Sequence, residues 1–162
     1  MRWSLLCSTI IIAGCNPDRV AQLEKQNKEL MAKLEDVSKQ SSLDLQSKCA
    51  KQAREEFNSE GWRADTLAAF TNHYNKQLSK CFIEVTSSDT KTAGDGTIFQ
   101  STVVSDAFEG KTYGEYHWKS DKVKKYWEVP PFLCRVTSMT GQETVCHSDD
   151  EFKAAVKQYM EQ

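Results

Sequence analysis

Three patterns of hydrophobic and polar residues follow one another along the chain. Residues 3–12 are an apolar run interrupted only by Ser and Thr. Residues 18–58 contain no Gly or Pro and consist mostly of good helix formers, which predicts a helical region. From Cys81 onward, short hydrophobic runs separated by turn residues predict strands. The order of helices, a sheet and a final helix predicts an α+β fold with a small antiparallel sheet.

The first part of the helical region has the hydrophobic spacing of a coiled coil. Spacings of three and four residues alternate along one face, which we call the seam: Val20, Leu23, Asn27, Leu30, Leu34 and Val37. Asn27 at an a position favours a parallel homodimer, because a buried amide needs a partner and the facing Asn supplies one. Arg19 at g and Glu24 at the following e position can pair between chains. As a coiled coil, residues 18–40 would form a stalk of roughly 35 Å. Because a coiled coil of three heptads is only marginally stable alone, the alternative is an amphipathic helix that lies on its own domain or on another protein.

Helical spacing continues into the part of the chain that we expect to be globular. Apolar residues recur at every fourth position from near Leu43: Leu45, Cys49, Ala53 and Phe57. This spacing predicts a helix that buries one face in the domain core and ends at Asn58 and Gly61. A second short helix is predicted over residues 67–78, where apolar residues keep helical spacing: Leu67, Phe70, Tyr74 and Leu78.

Five strands and a last helix are predicted after these helices. Three strands form a meander with turns at residues 93–96 and 109–110: residues 82–86, 97–108 and 111–118. A short turn or helix over residues 122–127 must end before Pro130-Pro131, which force extended backbone. Residues 132–138 and 142–147 form a hairpin around Met139-Thr140-Gly141, with Gly where a positive φ is needed. The capping-box pattern of Ser148 to Glu151 opens a helix with one apolar face: Phe152, Val156, Tyr159 and Met160.

Length and charge limit the possible functions. The 162 residues, 39% hydrophobic and 27% charged, leave room for one modest ordered domain. The chain from Cys15 onward has 20 basic and 23 acidic residues, a formal net charge of −3. Nucleic-acid binding needs a concentrated cationic face, whereas these charges are interleaved, so we expect no nucleic-acid partner.

The beginning of the chain has the features of an export signal. Met1-Arg2 supplies a positive start, and the apolar run is too short to span a bilayer, which needs about 20 apolar residues. The run ends in Ile12-Ala13-Gly14-Cys15, which resembles the lipobox of bacterial lipoproteins. The resemblance implies cleavage before Cys15, acylation of that residue and a lipid anchor in a membrane of the cell envelope. An ordinary secretory signal or a short membrane anchor is the alternative.

The lipoprotein resemblance also implies a location and a domain organisation. An Asp after the lipidated Cys commonly retains Gram-negative lipoproteins in the inner membrane, and this chain has Asn16 there. We therefore expect the periplasmic face of the outer membrane. The expected parts are a signal peptide over residues 1–14, a lipidated Cys and coiled-coil stalk over 15–42, and a disulfide-stapled α+β domain over 43–162.

Four cysteines remain after Cys15: Cys49, Cys81, Cys134 and Cys146. An even set in an exported chain indicates two disulfides, for which three connectivities are possible. Because a hairpin centred on Thr140 places Cys134 and Cys146 opposite each other, we expect this pair, which leaves Cys49 for Cys81. A zinc site and a redox pair are the alternatives, although close Cys or His pairs and a Cys-x-x-Cys motif are both missing.

Few residues suggest a binding site. No two of the three histidines, His73, His117 and His147, share a metal-ligand spacing, so we expect no metal or other cofactor. The cluster Asn72-His73-Tyr74-Asn75 can line a pocket or equally satisfy a helix end. An aromatic-rich stretch can form a carbohydrate or protein contact face, or belong to half-buried strands: Tyr113, Tyr116, Trp118, Tyr126 and Trp127. Our candidate binding residues are Asn72, His73, Tyr74, His117 and Trp118.

The motifs of common enzyme classes are missing from the sequence. It has no Gly-x-Ser-x-Gly, phosphate loop, dinucleotide fingerprint or zinc-protease motif, so we assign no catalytic residue. We therefore expect a non-catalytic module that binds an envelope protein or a cell-wall component. The alternatives are a periplasmic small-ligand or metal-binding domain near His73 and His117, and an envelope hydrolase of unrecognised type.

Overall fold

The computed structural model describes residues 17–60, 67–89 and 96–161. The predicted signal peptide, the lipobox, Asn16, Gly61 and most of the predicted turn at residues 93–96 lie outside these ranges. The helices are α1 (Pro17–Ser59) and α2 (Asp149–Met160), with a short 3₁₀ helix at Tyr126–Glu128. The strands are β1 (Leu67–Asn75), β2 (Lys80–Asp89), β3 (Phe99–Asp106), β4 (Thr112–Lys119), β5 (Leu133–Thr137) and β6 (Glu143–Val145).

Helix α1 runs through two units of the chain, which divide between Ser42 and Leu43. In the first unit, the predicted long helix is confirmed, and residues 18–41 are exposed. The apolar seam residues are between 42% and 67% exposed: Val20, Leu23, Leu30, Leu34 and Val37. Because this surface is apolar but unburied in one chain, the coiled coil stays a prediction. No helix in the described ranges has an apolar stretch long enough to cross a membrane.

The six strands of the second unit form one antiparallel sheet in sequence order. The predicted meander and C-terminal hairpin are confirmed, although β2 is longer than predicted and β3, β5 and β6 are shorter. Gly141 has the positive φ of 87° that its turn requires. The last turns of α1 pack on one side of the sheet, here the α1 face, and α2 packs on the other, the α2 face. The α+β class is confirmed.

The helix predicted over residues 67–78 is wrong, because residues 67–75 are strand β1. Each of these residues pairs with β2, from Leu67 opposite Ser88 to Asn75 opposite Lys80. A spacing of four residues, as between Phe70 and Tyr74, keeps side chains on one face of a helix and also on one face of a strand. Only the spacing of three from Leu67 to Phe70 favoured a helix, and Leu67 is 79% exposed. Pairing with β2 therefore decides the conformation.

Each face of the sheet has its own hydrophobic core. Large aromatic side chains dominate the α2 face: Phe82, Tyr113, Tyr116, Trp118, Phe152 and Tyr159. Smaller residues form the α1 face: Cys49, Ala53, Cys81, Ile83, Val85 and Ala107. On the α2 face, β4 passes close to the helix at Gly114, where an added Cβ would lie 2.8 Å from Val156 Cγ1.

Both predicted disulfides are confirmed. Cys49–Cys81 joins α1 to β2 with a Cα–Cα distance of 5.3 Å, and Cys134–Cys146 closes the β5–β6 hairpin with 5.1 Å. All four cysteines are buried. The hairpin disulfide lies directly before α2, where Ser148 is the N-cap and its Oγ accepts a hydrogen bond from Glu151 N over 3.1 Å. The Glu151 carboxylate accepts from His147 N over 2.7 Å, which fixes the entry into α2.

Candidate functional site

The cluster predicted at residues 72–75 is divided between the two faces of β1. Asn72 and Tyr74 lie opposite Ile83 and Cys81, on the α1 face, and Asn72 Nδ2 donates to Cys49 Sγ over 3.7 Å. His73 lies opposite Phe82, on the α2 face. Alternation of side chains along a strand therefore separates neighbours in sequence.

Asn75 is buried and joins two elements of the domain. Its Nδ2 donates to Gln158 O over 2.9 Å near the end of α2, and its Oδ1 accepts from Leu78 N over 2.9 Å in the β1–β2 turn. A buried amide with donors and acceptors satisfied by backbone is a structural residue. Asn75, at the end of β1, thus has a structural role, because it connects α2 with the β1–β2 turn.

The predicted residues of β4 also lie on different faces. His117 lies opposite Ser101 on the α1 side and stacks on Phe132 with ring centroids 5.9 Å apart. Trp118 is buried on the α2 face, where its Nε1 donates to Val129 O over 2.9 Å.

The structure does not bring His73 and His117 together. They lie on opposite faces of β1 and β4, with β2 and β3 between them, which places them roughly 14 Å apart along the sheet at 4.8 Å per strand. Throughout the described ranges, no group of three His, Cys, Asp or Glu residues is arranged to hold a metal ion.

The aromatic-rich stretch is divided by burial rather than by face. Tyr113, Tyr116 and Trp118 are core residues of β4. Tyr126 is 45% exposed and Trp127 is 75% exposed, both in the connection between β4 and β5. The exposed rings therefore belong to a connection, where binding residues are common, and not to a strand.

These exposed rings line a cavity of about 410 Å³, which we call the aromatic groove. It lies between the β4–β5 connection and the start of α2. Its lining residues are Tyr116, Tyr126, Trp127, Glu128, Val129, Pro130, Pro131, His147, Ser148, Asp149 and Asp150. A volume of this size is within the range of small-molecule and peptide-side-chain sites.

The aromatic side of the groove is held in place by the core. The Tyr126 ring packs on Trp118 with centroids 4.7 Å apart, and the Trp118 indole holds Val129 through the hydrogen bond described above. The Glu128 carboxylate accepts from Lys125 N over 2.9 Å and closes the 3₁₀ turn. Because these contacts fix the backbone of the connection and the Tyr126 ring, that ring is positioned without a ligand, and Trp127 is the next residue in the same 3₁₀ turn.

The opposite side of the groove is fixed by the hairpin disulfide and the helix cap. His147 follows Cys146 directly, and Ser148 is committed as the N-cap. Asp149 pairs with Lys153 one turn later, whereas Asp150 is exposed. The floor is Tyr116, whose hydroxyl pKa is raised by burial and by a hydrogen bond with Tyr126, so it stays a neutral phenol at physiological pH.

None of the five candidate binding residues lines this groove, and of the features considered in the sequence only the aromatic-rich stretch contributes to one of its sides. The sequence indicates an aromatic-rich stretch that includes Tyr126 and Trp127, and it indicates Ser148 to Glu151 only as a helix cap. Nothing in the spacing indicates that residues 126–131 and 147–150 meet, because they come together through pairing of β4, β5 and β6. The proline pair next to exposed aromatic residues was the available signal.

Comparisons with protein-family models, with curated proteins and with solved structures found no match for this chain.

Proposed function

We propose that this chain is a lipid-anchored envelope protein whose disulfide-stabilised domain is a non-catalytic module that binds a protein or cell-wall component through the aromatic groove. The observation that carries the proposal is the pair of exposed aromatic residues beside a cavity, Tyr126 and Trp127, of which Tyr126 packs on the core residue Trp118. Exposed aromatic residues on a fixed support are typical of recognition sites, because their large rigid area is ordered before binding.

The chemistry of the groove supports binding rather than catalysis. His147, Ser148 and Asp149 are adjacent there, but Ser148 Oγ accepts the N-cap hydrogen bond from Glu151 N. Within the described residues the imidazole of His147 makes no hydrogen bond to Ser148 or to a carboxylate. A serine nucleophile needs a base within hydrogen-bond reach, and that base needs an orienting partner.

Two further observations support the envelope location. Two disulfides are typical of an oxidising compartment such as the periplasm. The sequence Ile12-Ala13-Gly14-Cys15 supports acylation of Cys15, and several acyl chains at about 0.8 kcal/mol per buried methylene give a stable anchor. Cells fed labelled palmitate should incorporate it into the wild type and not into Cys15→Ser, and equal labelling of both would refute the anchor.

The binding proposal is tested by photo-cross-linking in intact envelopes. A benzoylphenylalanine at position 127 should give a defined adduct, because it lies in the groove. The matched control is position 108, since Phe108 is 62% exposed in the β3–β4 turn, away from the groove lining. Identical adducts at both positions, or none at position 127, would contradict the proposed function.

A further inference from the structure

We propose that the aromatic groove binds an extended segment of a partner polypeptide that carries basic side chains. This inference rests on the proposed function and adds the chemical class of the ligand to it. Three features of the groove carry it: an exposed ring that already contacts a cation, carboxylates on both sides, and an apolar surface next to the rings.

The first feature is the contact between Lys125 and Trp127. Lys125 Nζ lies 5.2 Å from the centroid of the Trp127 ring. At this distance an ammonium is attracted by the negative face of the ring. Both side chains are exposed and the lysine stem is flexible, so a Lys or Arg of a ligand can take the place of Lys125 Nζ.

The second feature is the distribution of carboxylates. Glu128 lies on the aromatic side of the groove, and Asp149 and Asp150 lie on the other side. Lys153 forms an ion pair with Asp149 and also attracts the exposed Asp150 electrostatically, so this side of the groove has one lysine for two carboxylates. The carboxylates that line the groove therefore attract a basic ligand and repel an anionic one.

The third feature is the apolar surface of Val129, Pro130 and Pro131, which lies next to the rings. Apolar side chains of a ligand can cover this surface while neighbouring basic side chains reach the carboxylates. A polypeptide presents both kinds of group at short intervals. A glycan strand offers hydroxyls and ring faces but no cation, so it leaves the carboxylates uncompensated.

The test uses the full chain, purified in detergent, and a phage library of random 12-residue peptides. Selection should enrich peptides with a net positive charge, and their affinity should fall as salt rises. In fluorescence polarisation with an enriched peptide, Trp127→Ala should weaken binding at least about tenfold. Asp150→Asn should weaken it by a smaller factor and reduce the salt dependence, and Phe108→Ala should leave it unchanged.

Three results would overturn the inference. The first is enrichment of neutral or acidic peptides. The second is an enriched peptide that binds wild type and Trp127→Ala equally well. The third is the absence of any enriched peptide, together with binding of an N-acetylglucosamine oligosaccharide that depends on Trp127. The last result would assign a glycan to the groove. It would leave the proposed function intact, because the photo-cross-linked adduct at position 127 would then contain wall material. If cross-linking at position 127 gave no adduct, both the proposed function and this inference would be wrong.

Discussion

Gly114 is the position where β4 and α2 come closest. A Cβ there would lie 2.8 Å from Val156 Cγ1 and 3.1 Å from Phe152 Cε2, both in the core of the α2 face. One of these side chains, or the helix, must move to make room. Gly114→Ala should therefore lower the free energy of unfolding in urea by about 1–3 kcal/mol.

The cause of this loss can be separated from general damage by a double-mutant cycle. Val156→Ala removes the nearest methyl group, so Gly114→Ala should cost less in the Val156→Ala background than in the wild type. A coupling of about 1 kcal/mol is expected for atoms in contact. Additive effects of the two substitutions would show that the close approach is not what excludes a side chain at position 114.

Asp106 is a buried carboxylate that organises the turn after β3. Its side chain is 3% exposed. The carboxylate accepts hydrogen bonds from Lys80 Nζ over 2.7 Å, from Phe108 N over 2.9 Å and from Glu109 N over 3.2 Å. Burial alone would raise its pKa, but the Lys80 ammonium and the two backbone N–H groups lower it overall. Asp106→Asn should cost about 2 kcal/mol of stability at pH 7, because the charge-assisted hydrogen bond from Lys80 Nζ to the buried carboxylate is lost.

The pH dependence of this effect has a definite sign. Because the folded pKa of Asp106 lies below the unfolded value, the carboxylate stabilises the fold above the unfolded pKa of about 3.9. This contribution is lost as the pH falls through the folded pKa. The difference between wild type and Asp106→Asn should therefore shrink in urea unfolding at acidic pH. Glu109→Gln is the control. Glu109 is the exposed partner of Lys80, so replacing it should lower the free energy of unfolding by less than about 1 kcal/mol.

The two disulfides join elements at very different distances along the chain. Cys49–Cys81 spans 32 residues and ties α1 to the sheet, whereas Cys134–Cys146 spans 12 residues within one hairpin. The entropy of the unfolded chain rises with the length of the loop that is released. Replacing both cysteines by Ala should thus lower the free energy of unfolding by about 4 kcal/mol for Cys49–Cys81 and by about 3 kcal/mol for Cys134–Cys146. A larger loss for Cys134–Cys146 in urea unfolding would refute this account.

Elements defined by local signals were predicted from the sequence, and those defined by partners were not. The C-terminal hairpin and the cap at Ser148 follow from a turn glycine and a polar tetrapeptide. Strand β1 was predicted as a helix because a four-residue spacing fits both conformations, and only the pairing with β2 distinguishes them. The aromatic groove was not predicted for the same reason, because its two sides lie about twenty residues apart in the sequence and meet only through pairing within the sheet.

The whole molecule combines a domain that buries its own core with a helix that exposes its apolar residues. Along the first unit, the exposed seam follows the a and d positions of heptads. Apolar residues in such a row are normally covered, and a second copy of the same helix would match their spacing. Anchored chains would also be concentrated on one membrane, which favours association.

The dimer is testable in the chain that lacks residues 1–14, where Cys15 carries a free thiol. Analytical ultracentrifugation should give a dimer, and Leu30→Glu should give a monomer because it places a charge in the seam. Ala32→Glu is the matched control, since position 32 lies on the opposite side of the heptad and the same charge there should change nothing. A parallel dimer places both Cys15 residues five positions before Val20, so mild oxidation should link them rapidly. An antiparallel dimer would separate the two Cys15 residues by roughly the 35 Å length of the stalk. If a dimeric chain did not form this cross-link, Asn27 would not specify a parallel dimer.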